Sequence, residues 1–200
     1  MIWNNPKLTD TFQQGRIAVM PTDTIYGLVC SALNREAVEK IYQLRRRAPE
    51  KPCIILIGDI AELEKFSIKL SREEKNKLKK YWSALSPASP NRGESLDGPG
   101  PVSIILDCLD DKFSYLHCGT KGLAFRIPQE PDLRNLLIRT GPLIAPSANT
   151  EGMPPAKNIA EARTYFGDAV DLYLDGGEII SQPSKVVEFC RDGSVKTIRA

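Results

Sequence analysis

Residues 17–27 read I-A-V-M-P-T-D-T-I-Y-G and place an apolar run directly before a polar loop. The run Ile17–Met20 is typical of a buried strand, and Pro21 favours its end. The polar residues Thr22 to Thr24 would then lie at the carboxyl edge of that strand, where open α/β sheets bind ligands. An ordinary strand-to-helix connection would have the same pattern, so the rest of the chain must decide between the two interpretations. Under either one, we expect Asp23 to cap the turn and Tyr26 to pack.

The composition is that of an ordinary globular protein, with 42% apolar and 26% charged residues in a chain of 200. The formal net charge is only +2 at pH 7, so binding of nucleic acid or phosphate must depend on a local cluster of cations. We expect a single domain over residues 1–200.

The five cysteines are scattered, and none forms a C-x-x-C pair. This pattern is more typical of reduced core thiols in the cytosol than of a disulfide framework or a zinc site. The first residues, M-I-W-N-N-P-K, lack a signal-peptide pattern, and no apolar run approaches the ~18 residues of a spanning helix. We therefore expect a cytoplasmic protein that does not contact a membrane.

The hydrophobic pattern predicts strands interleaved with helices, which defines an α/β class built around a twisted mixed sheet. Besides the first strand, the predicted strands are Cys53–Ile57, Val102–Cys108, Leu123–Ile127, Leu143–Ala145, Asp171–Leu174, Lys185–Cys190 and Val195–Ile198. The predicted helices lie within residues 1–16 (capped by Thr9 or Asp10) and at 34–47, Asp59–Phe66, Ser71–Trp82, Glu130–Arg139 and Asn158–Phe166. Residues 83–98 show the hydrophobic period of neither a helix nor a strand and are rich in Ser, Pro and Gly. This composition predicts an exposed, mobile insert loop.

Several familiar catalytic motifs are absent from the sequence. It contains neither G-x-x-x-x-G-K-[ST] nor a G-x-G-x-x-G after a strand, which argues against a P-loop or a dinucleotide-binding fingerprint. The only histidine is His117. One histidine is too few for a zincin site, and a Ser-His-Asp triad would have to use this same residue. Its polar surroundings predict a surface histidine.

Basic residues at the end of the second helix are the first candidate site. Arg45, Arg47 and Lys51 could together clamp a phosphate, with Arg giving bidentate contacts and Lys a point charge. Cations at a helix C-terminus are also favoured by the helix dipole, so a purely structural interpretation stays open. Arg46 should point elsewhere.

Further polar residues stand where apolar strands end. Arg126 interrupts L-A-F-R-I-P, where an unpaired charge would be costly, so it lies near an exposed strand end or pairs with an anion. Ser147 and Asn149 follow another strand through a proline, although such pairs also cap turns. Ser184 and Arg199 repeat the pattern more weakly.

Taken together, these segments resemble the YrdC-type threonylcarbamoyl-AMP synthase family. The matching motifs occur in the family's order and are P-T-D-T-I-Y-G-L (21–28), L-R-R-R-A-P-E-K-P (44–52), P-G-P-V-S-I-I-L (99–106), L-A-F-R-I-P (123–128), A-P-S-A-N (145–149) and D-G-G (175–177). The resemblance implies the short, single-domain form, an open twisted sheet with flanking helices, and a large basic cavity. It also implies a reaction in which L-threonine, bicarbonate and ATP give L-threonylcarbamoyladenylate and pyrophosphate, for modification of tRNA at position 37.

The resemblance also assigns roles to residues. Threonine would be bound by Thr22, Thr24, Arg126, Ala145 and Ser184, and ATP by Arg47, Lys51, Ser147, Asn149 and Arg199. Catalysis would rest on Arg45, Arg47, Ser147 and Asn149, with Mg²⁺ arriving on ATP and no tightly held metal. The implied partners are the three substrates, tRNA and other threonylcarbamoyl-transfer proteins.

Two departures from the family pattern are visible. Arg45 stands where the family usually has Lys, and the usual W-P-G-P run is split between Trp82 and Pro99. These two departures keep open the alternative that the chain is a relative of the family with altered activity. An RNA-binding module of the same fold is the other alternative, although only Tyr26, Tyr42 and Phe125 lie near the basic segments.

Overall fold

The strands expected from short apolar runs pair into one open mixed sheet. The structure is a computed structural model that describes residues 2–46, 52–84, 101–189 and 194–199. The strands are β1 (Ala18–Pro21), β2 (Tyr26–Ser31), β3 (Ile54–Leu56), β4 (Val102–Asp107), β5 (Gly122–Arg126), β6 (Leu143–Ile144), β7 (Leu172–Tyr173), β8 (Lys185–Phe189) and β9 (Val195–Arg199). Their order within the described sheet is β7-β1-β2-β6-β3-β5-β4-β8-β9. Three neighbouring pairs are parallel (β1 with β7, β3 with β5, β4 with β8), and the others are antiparallel. The predicted mixed sheet is thus confirmed.

Helices flank this sheet on both faces. They are α1 (Pro6–Gln13), α2 (Arg35–Arg45), α3 (Arg72–Ala84), α4 (Ser114–His117), α5 (Pro131–Thr140) and α6 (Ile159–Phe166). Short 3₁₀ helices cover Ile2–Asn4, Ile60–Phe66, Asp111–Phe113 and Gly167–Ala169. Within the described ranges, no helix combines the length and the apolar character needed to cross a membrane.

The two faces of the sheet carry separate hydrophobic clusters. On one face, side chains of β1 to β6, β8 and six helical segments (α2, the 60–66 helix, α3, the 111–113 helix, α4 and α6) bury a large core centred on residues such as Phe66 and Phe125. On the other face, α1 and α5 cover the strands at the β1 side through Phe12, Leu133 and Leu137. Neither helix covers β4 and β8, so that part of the second face of the sheet is uncovered.

The connection after β1 differs from the prediction. Residues 22–25 join β1 to β2 as a hairpin turn, because Pro21 pairs with Tyr26 and Met20 with Gly27 in an antiparallel ladder. The prediction of a strand-to-loop edge overlooked β2. Its sequence, Y-G-L-V-C-S, contains a glycine that weakens the strand pattern. A side chain at Gly27 would lie 3.2 Å from Thr22 Cγ2 and 3.5 Å from Ala145 Cβ, so tight packing at this point favours glycine.

Most predicted helix starts are confirmed. Asn34 caps α2, Asn158 caps α6 and Asp59 caps the following helix, each by accepting a backbone N–H. The helix at 60–66 is 3₁₀ rather than α. The cap predicted at Thr9 or Asp10 is wrong, because Asn5 accepts from Lys7 N immediately before a proline at the first helical position.

The first two residues of the predicted insert loop are helical. Ser83 and Ala84 belong to α3, and residues 85–98 lie outside the described residues. Before it, the Trp82 indole N–H donates to the Val102 carbonyl at 3.3 Å. The last helical turn is therefore tied to the first residue of β4.

The predicted capping box at the start of α3 is present. Glu74 N donates to Ser71 Oγ at 3.2 Å, and Ser71 N donates to Glu74 Oε2 at 2.8 Å. The backbone N–H and then the side chain of Ser71 lower the pKa of Glu74 from its ordinary value. A carboxylate whose pKa is lowered by folding stabilises the folded state above its unfolded pKa, about 4.3, and this stabilisation is lost as pH falls through the folded value.

We therefore expect the difference in free energy of unfolding between wild type and Glu74→Gln to shrink as pH falls from about 6 to about 3. Urea denaturation at several pH values measures it. Glu73→Gln is the control, because Glu73 pairs with the exposed Lys77 ammonium at 3.0 Å and takes no part in the capping box, so its loss should change the free energy of unfolding less. A difference for Glu74→Gln that stays constant with pH would contradict the assignment.

Candidate functional site

A cavity of about 480 Å³ occupies the part of the second sheet face that α1 and α5 leave uncovered. Its floor is formed by small and aliphatic side chains of adjacent strands, namely Ile54, Ala124, Ile105 and Val186. These residues are cross-strand neighbours or near neighbours in the ladders of β3, β5, β4 and β8. We call this the central cavity. Such a pocket can hold a small-molecule ligand.

The hairpin turn forms one wall of the central cavity. Thr22 Oγ1 donates to the Ile25 carbonyl at 2.8 Å and lies 3.0 Å from Thr24 Oγ1. Thr24 lines the cavity, whereas Thr22 is not among its lining residues. Thr22 therefore supports the turn from behind, and Thr24 presents its side chain to a ligand.

Arg126 ends β5 and is buried against the same turn. The side chain of Arg126 is only 4% exposed and that of Asp23 only 2%, and Arg126 Nη2 lies 2.9 Å from Asp23 Oδ1. The angle between the two groups does not meet hydrogen-bond geometry. Among the described residues, neither carboxylate oxygen of Asp23 has a hydrogen-bond partner, and neither has Arg126 Nε. Desolvation lowers the pKa of Arg126 from its ordinary value, and the Asp23 charge opposes this shift. Arg126 is thus paired to an anion, as one sequence interpretation held, and the expectation that Asp23 merely caps the turn is wrong.

The loop 146–149 forms a second wall. Leu28 N donates to the Pro146 carbonyl and Ala148 N to the Tyr26 carbonyl, each at 2.9 Å, so β2 holds the loop from one side. Ser147 lines the cavity. The side-chain amide of Asn149 donates instead to the carbonyls of Thr150 and Met153, at 2.8 and 2.7 Å.

Arg45 holds this loop from the other side. Its Nε donates to the Asn149 carbonyl at 3.1 Å, and its Nη2 donates to Ser147 Oγ at 3.1 Å and to Asn149 Oδ1 at 3.2 Å. Arg45 is the last residue of α2, is 3% exposed, and lines the cavity. Arg46, the next residue, is exposed and adopts a left-handed conformation with φ of 50°. Arg46 points away from the site, as predicted.

The third wall comes from the end of the chain. Ser184 precedes β8, and its carbonyl accepts from Arg199 Nε at 3.2 Å and from Arg199 Nη2 at 2.7 Å. The Ser184 hydroxyl oxygen lies 2.9 Å from Ser103 Oγ on β4. Both Ser184 and Arg199 line the cavity.

Seven residues that the sequence singled out therefore surround one cavity. They are Thr24, Arg45, Arg126, Ala145, Ser147, Ser184 and Arg199. Thr22 and Asn149 support it through hydrogen bonds to lining residues. Arg47 and Lys51 lie outside the described residues.

Some cavity residues were missed from the sequence. Asp107 and Glu188 line the central cavity together with the three arginines, and Ser103 lies behind Ser184. The signal was present in part, because Ser103 and Asp107 share one face of β4 by the two-residue period of a strand. The sequence could not show that this face is uncovered.

The histidine and the described cysteines do not form a catalytic pair in this cavity. His117 is 1% exposed, so the prediction of a surface histidine is wrong, and its Nδ1 accepts from Gly119 N at 3.2 Å. It lies beneath the sheet in α4. Cys30, Cys53, Cys108 and Cys118 are free thiols, and burial raises the pKa of Cys30 well above its ordinary value. Cys190 lies outside the described residues.

An open α/β sheet with hydroxyls and arginines around one cavity defines a small-molecule-binding protein. Comparison with known proteins gives the family. The family model for Sua5/YciO/YrdC, described as telomere recombination, matches residues 10–200. The chain belongs to this family.

Two relatives carry the same functional name. A threonylcarbamoyl-AMP synthase of Bacillus subtilis is 30% identical over 195 residues, which covers 94% of this chain and 51% of the relative. One from Marinobacter nauticus is 29% identical over 168 residues, which covers 83% of this chain and 80% of the relative. The chain thus spans about half the length of the first relative and most of the second.

Solved structures agree on the fold. P. abyssi Sua5 in complex with L-threonine superposes with a TM-score of 0.74 at 24% identity, over 94% of this chain and 51% of that one. E. coli YciO gives a TM-score of 0.74 at 21% identity, over 96% of this chain and 86% of that one. At these identities the likeness establishes the fold alone.

The buried ion pair generates a prediction about stability. Asp23→Ala should lower the free energy of unfolding by about 3–5 kcal/mol, because it leaves the Arg126 charge buried without its partner. The double variant Asp23→Leu/Arg126→Met should recover most of the loss, since no buried charge remains. Guanidinium denaturation measures both. As a control, Glu39→Ala breaks the exposed Arg35–Glu39 pair and should cost less than about 1 kcal/mol. A double variant no more stable than Asp23→Ala would contradict this account.

Proposed function

We propose that this protein is a nucleotidyltransferase that makes L-threonylcarbamoyladenylate and pyrophosphate from L-threonine, bicarbonate and ATP. The observation that carries the proposal is the convergence of seven residues, named by the family resemblance, around one cavity. The names of the two relatives support the same reaction, and the P. abyssi complex supports threonine as the amino acid.

Threonine would bind between the hairpin turn and β5. Arg126 would hold the carboxylate, Thr24 would meet the polar side chain, and Ala145 would line the site with backbone. Bicarbonate releases hydroxide to give CO₂, and the neutral amine adds to the CO₂ and releases a proton. The products are a carbamate and, from the proton and hydroxide, water. A cavity floor of aliphatic side chains limits water around these charges and strengthens each contact.

ATP would extend toward the loop 146–149 and the C-terminal end of the chain. A carbamate oxygen attacks the α-phosphorus, the bond to the bridging oxygen breaks, and pyrophosphate leaves with the electron pair. Negative charge then grows on the phosphoryl oxygens, where fixed donors such as Ser147 and Arg199 would stabilise it. Arg47 and Lys51 remain proposed ATP contacts. The chemistry needs positioned reactants and fixed cations rather than a side-chain nucleophile.

Magnesium fits this site as a companion of ATP. The described residues hold no group of three or more His, Cys, Asp or Glu side chains that could bind a metal ion. Asp107 and Glu188 line the cavity, and Mg²⁺ at nucleotide sites commonly takes one or two carboxylates and completes its shell with phosphate oxygens and water. These two residues would hold the ion, which supplies charge stabilisation on the phosphates.

The product would be passed to proteins that place the threonylcarbamoyl group on tRNA, and the protein would act in the cytoplasm. The residues that line the cavity do not favour the alternative of an RNA-binding module. Tyr26 and Phe125 are fully buried, and no aromatic side chain is among the described lining residues. Single strands usually stack on exposed aromatics.

Pyrophosphate release from ATP should depend on both L-threonine and bicarbonate. The reason is that the attacking oxygen exists only after the threonine amine has captured CO₂. An enzyme-coupled pyrophosphate assay in degassed, CO₂-free buffer measures each omission. Equal release of pyrophosphate without threonine would contradict the proposal.

Arg126→Ala should weaken L-threonine binding by at least about tenfold, because it removes the cation that pairs the carboxylate. Arg46→Ala is the matched control and should change affinity by less than about twofold, since Arg46 is exposed and the substitution keeps the Cβ. Isothermal titration measures both, with circular dichroism to confirm folding. The variant Asp23→Leu/Arg126→Met serves if Arg126→Ala unfolds. Equal effects at positions 126 and 46 would remove Arg126 from the threonine site.

A further inference from the structure

Ser103 on β4 lies directly behind Ser184, a residue of the cavity wall. The two hydroxyl oxygens are 2.9 Å apart, and the residues are 0% and 1% exposed. The parallel ladder places Ser103 opposite Val186, so Ser184 lies one two-residue step before that partner, on the same face of the sheet. Ser184 lines the cavity, whereas Ser103 does not.

The direction of this hydrogen bond follows from burial. Each serine hydroxyl carries one proton to donate, and a buried donor without an acceptor costs free energy. Among the described residues, the Ser184 oxygen is the hydrogen-bond partner of the Ser103 hydroxyl. We propose that Ser103 donates to Ser184 Oγ, so that Ser184 keeps its own proton for a ligand in the central cavity.

The backbone of Ser184 is fixed independently. Arg199 donates twice to the Ser184 carbonyl, at 3.2 and 2.7 Å, and Lys185 N donates to the Pro101 carbonyl at 3.0 Å. Rotations about the Cα–Cβ and Cβ–Oγ bonds are the freedoms that remain. The bond from Ser103 holds the Ser184 oxygen in place and turns the Ser184 proton away from Ser103. Ser103 is therefore a positioning residue that makes Ser184 a hydrogen-bond donor.

A donor at this place can bind an acceptor oxygen of the ligand. This step rests on the proposed function, under which the oxygen belongs to the carboxylate of bound L-threonine. Ser103 never touches the ligand in this arrangement. Its effect should appear in threonine affinity and leave ATP affinity unchanged.

Titration calorimetry with L-threonine and with ATP tests the inference. Ser103→Ala should weaken threonine binding by about three- to tenfold, because it removes the one neutral hydrogen bond that orients the Ser184 hydroxyl, and should change ATP binding by less than about twofold. Ser103→Thr keeps the hydroxyl and should restore threonine affinity, and Ser181→Ala, at an exposed residue before β8, is the control. The proposal is overturned if Ser103→Ala leaves threonine affinity unchanged or weakens both ligands equally, or if Ser103→Thr binds no better than Ser103→Ala.

A second measurement does not need threonine to bind. With Cβ-labelled serine in mixed H₂O and D₂O, a slowly exchanging hydroxyl gives separate NMR lines for its protonated and deuterated forms. The free protein should show split lines for Ser103, which donates in the interior, and an averaged line for Ser184. Split Ser184 lines with an averaged Ser103 line would reverse the bond and overturn the inference. If wild type fails to bind threonine, the proposed function falls, and the NMR result alone decides the role of Ser103.

Discussion

The buried contact between Arg126 and Asp23 joins the β1–β2 hairpin to β5, two parts of the sheet that β6 and β3 separate. A guanidinium out of water costs several kcal/mol unless an anion lies beside it, so the two side chains must be buried together. Because Asp23 belongs to the turn 22–25, the contact fixes that turn over the end of β5. The wall that carries Thr24 and the floor that carries Ala124 thereby keep one relative position. The relative placement of these two parts of the cavity therefore depends on this charge pair.

Local signals made much of the fold predictable. Asn34 and Asn158 mark helix starts because an amide side chain can accept the first free N–H groups, a preference that needs no tertiary partner. The apolar run 53–57 predicted β3 because five such residues are too few for a helix and sit between prolines and glycine. Likewise, the S-x-x-E spacing at Ser71 encodes a capping box within four residues. Each of these features is decided by atoms close in sequence.

What the sequence did not reveal is decided by atoms far apart in it. Strand β2 carries Gly27, a poor strand residue, and its place in the sheet is set by pairing with β6, far along the chain. Asp23 reads as a turn residue until the structure brings Arg126 beside it, 2.9 Å away. His117 sits in a polar run, yet α4 carries it beneath the sheet. The face of β4 that lines the cavity was missed for the same kind of reason. The two-residue period of the strand shows which residues share a face, but the positions of α1 and α5 decide that this face is uncovered.

Arg45 shows how a departure from the family pattern can be understood physically. A lysine has one nitrogen to place, whereas the guanidinium spreads its donors over three nitrogens in a plane. Here that plane spans Ser147 Oγ, Asn149 Oδ1 and the Asn149 carbonyl, all within 3.2 Å. The substitution therefore converts a point charge into a brace between α2 and the loop 146–149, while its positive charge still faces the cavity. Charge and loop geometry are coupled through one side chain, and a change at Arg45 would alter both at once.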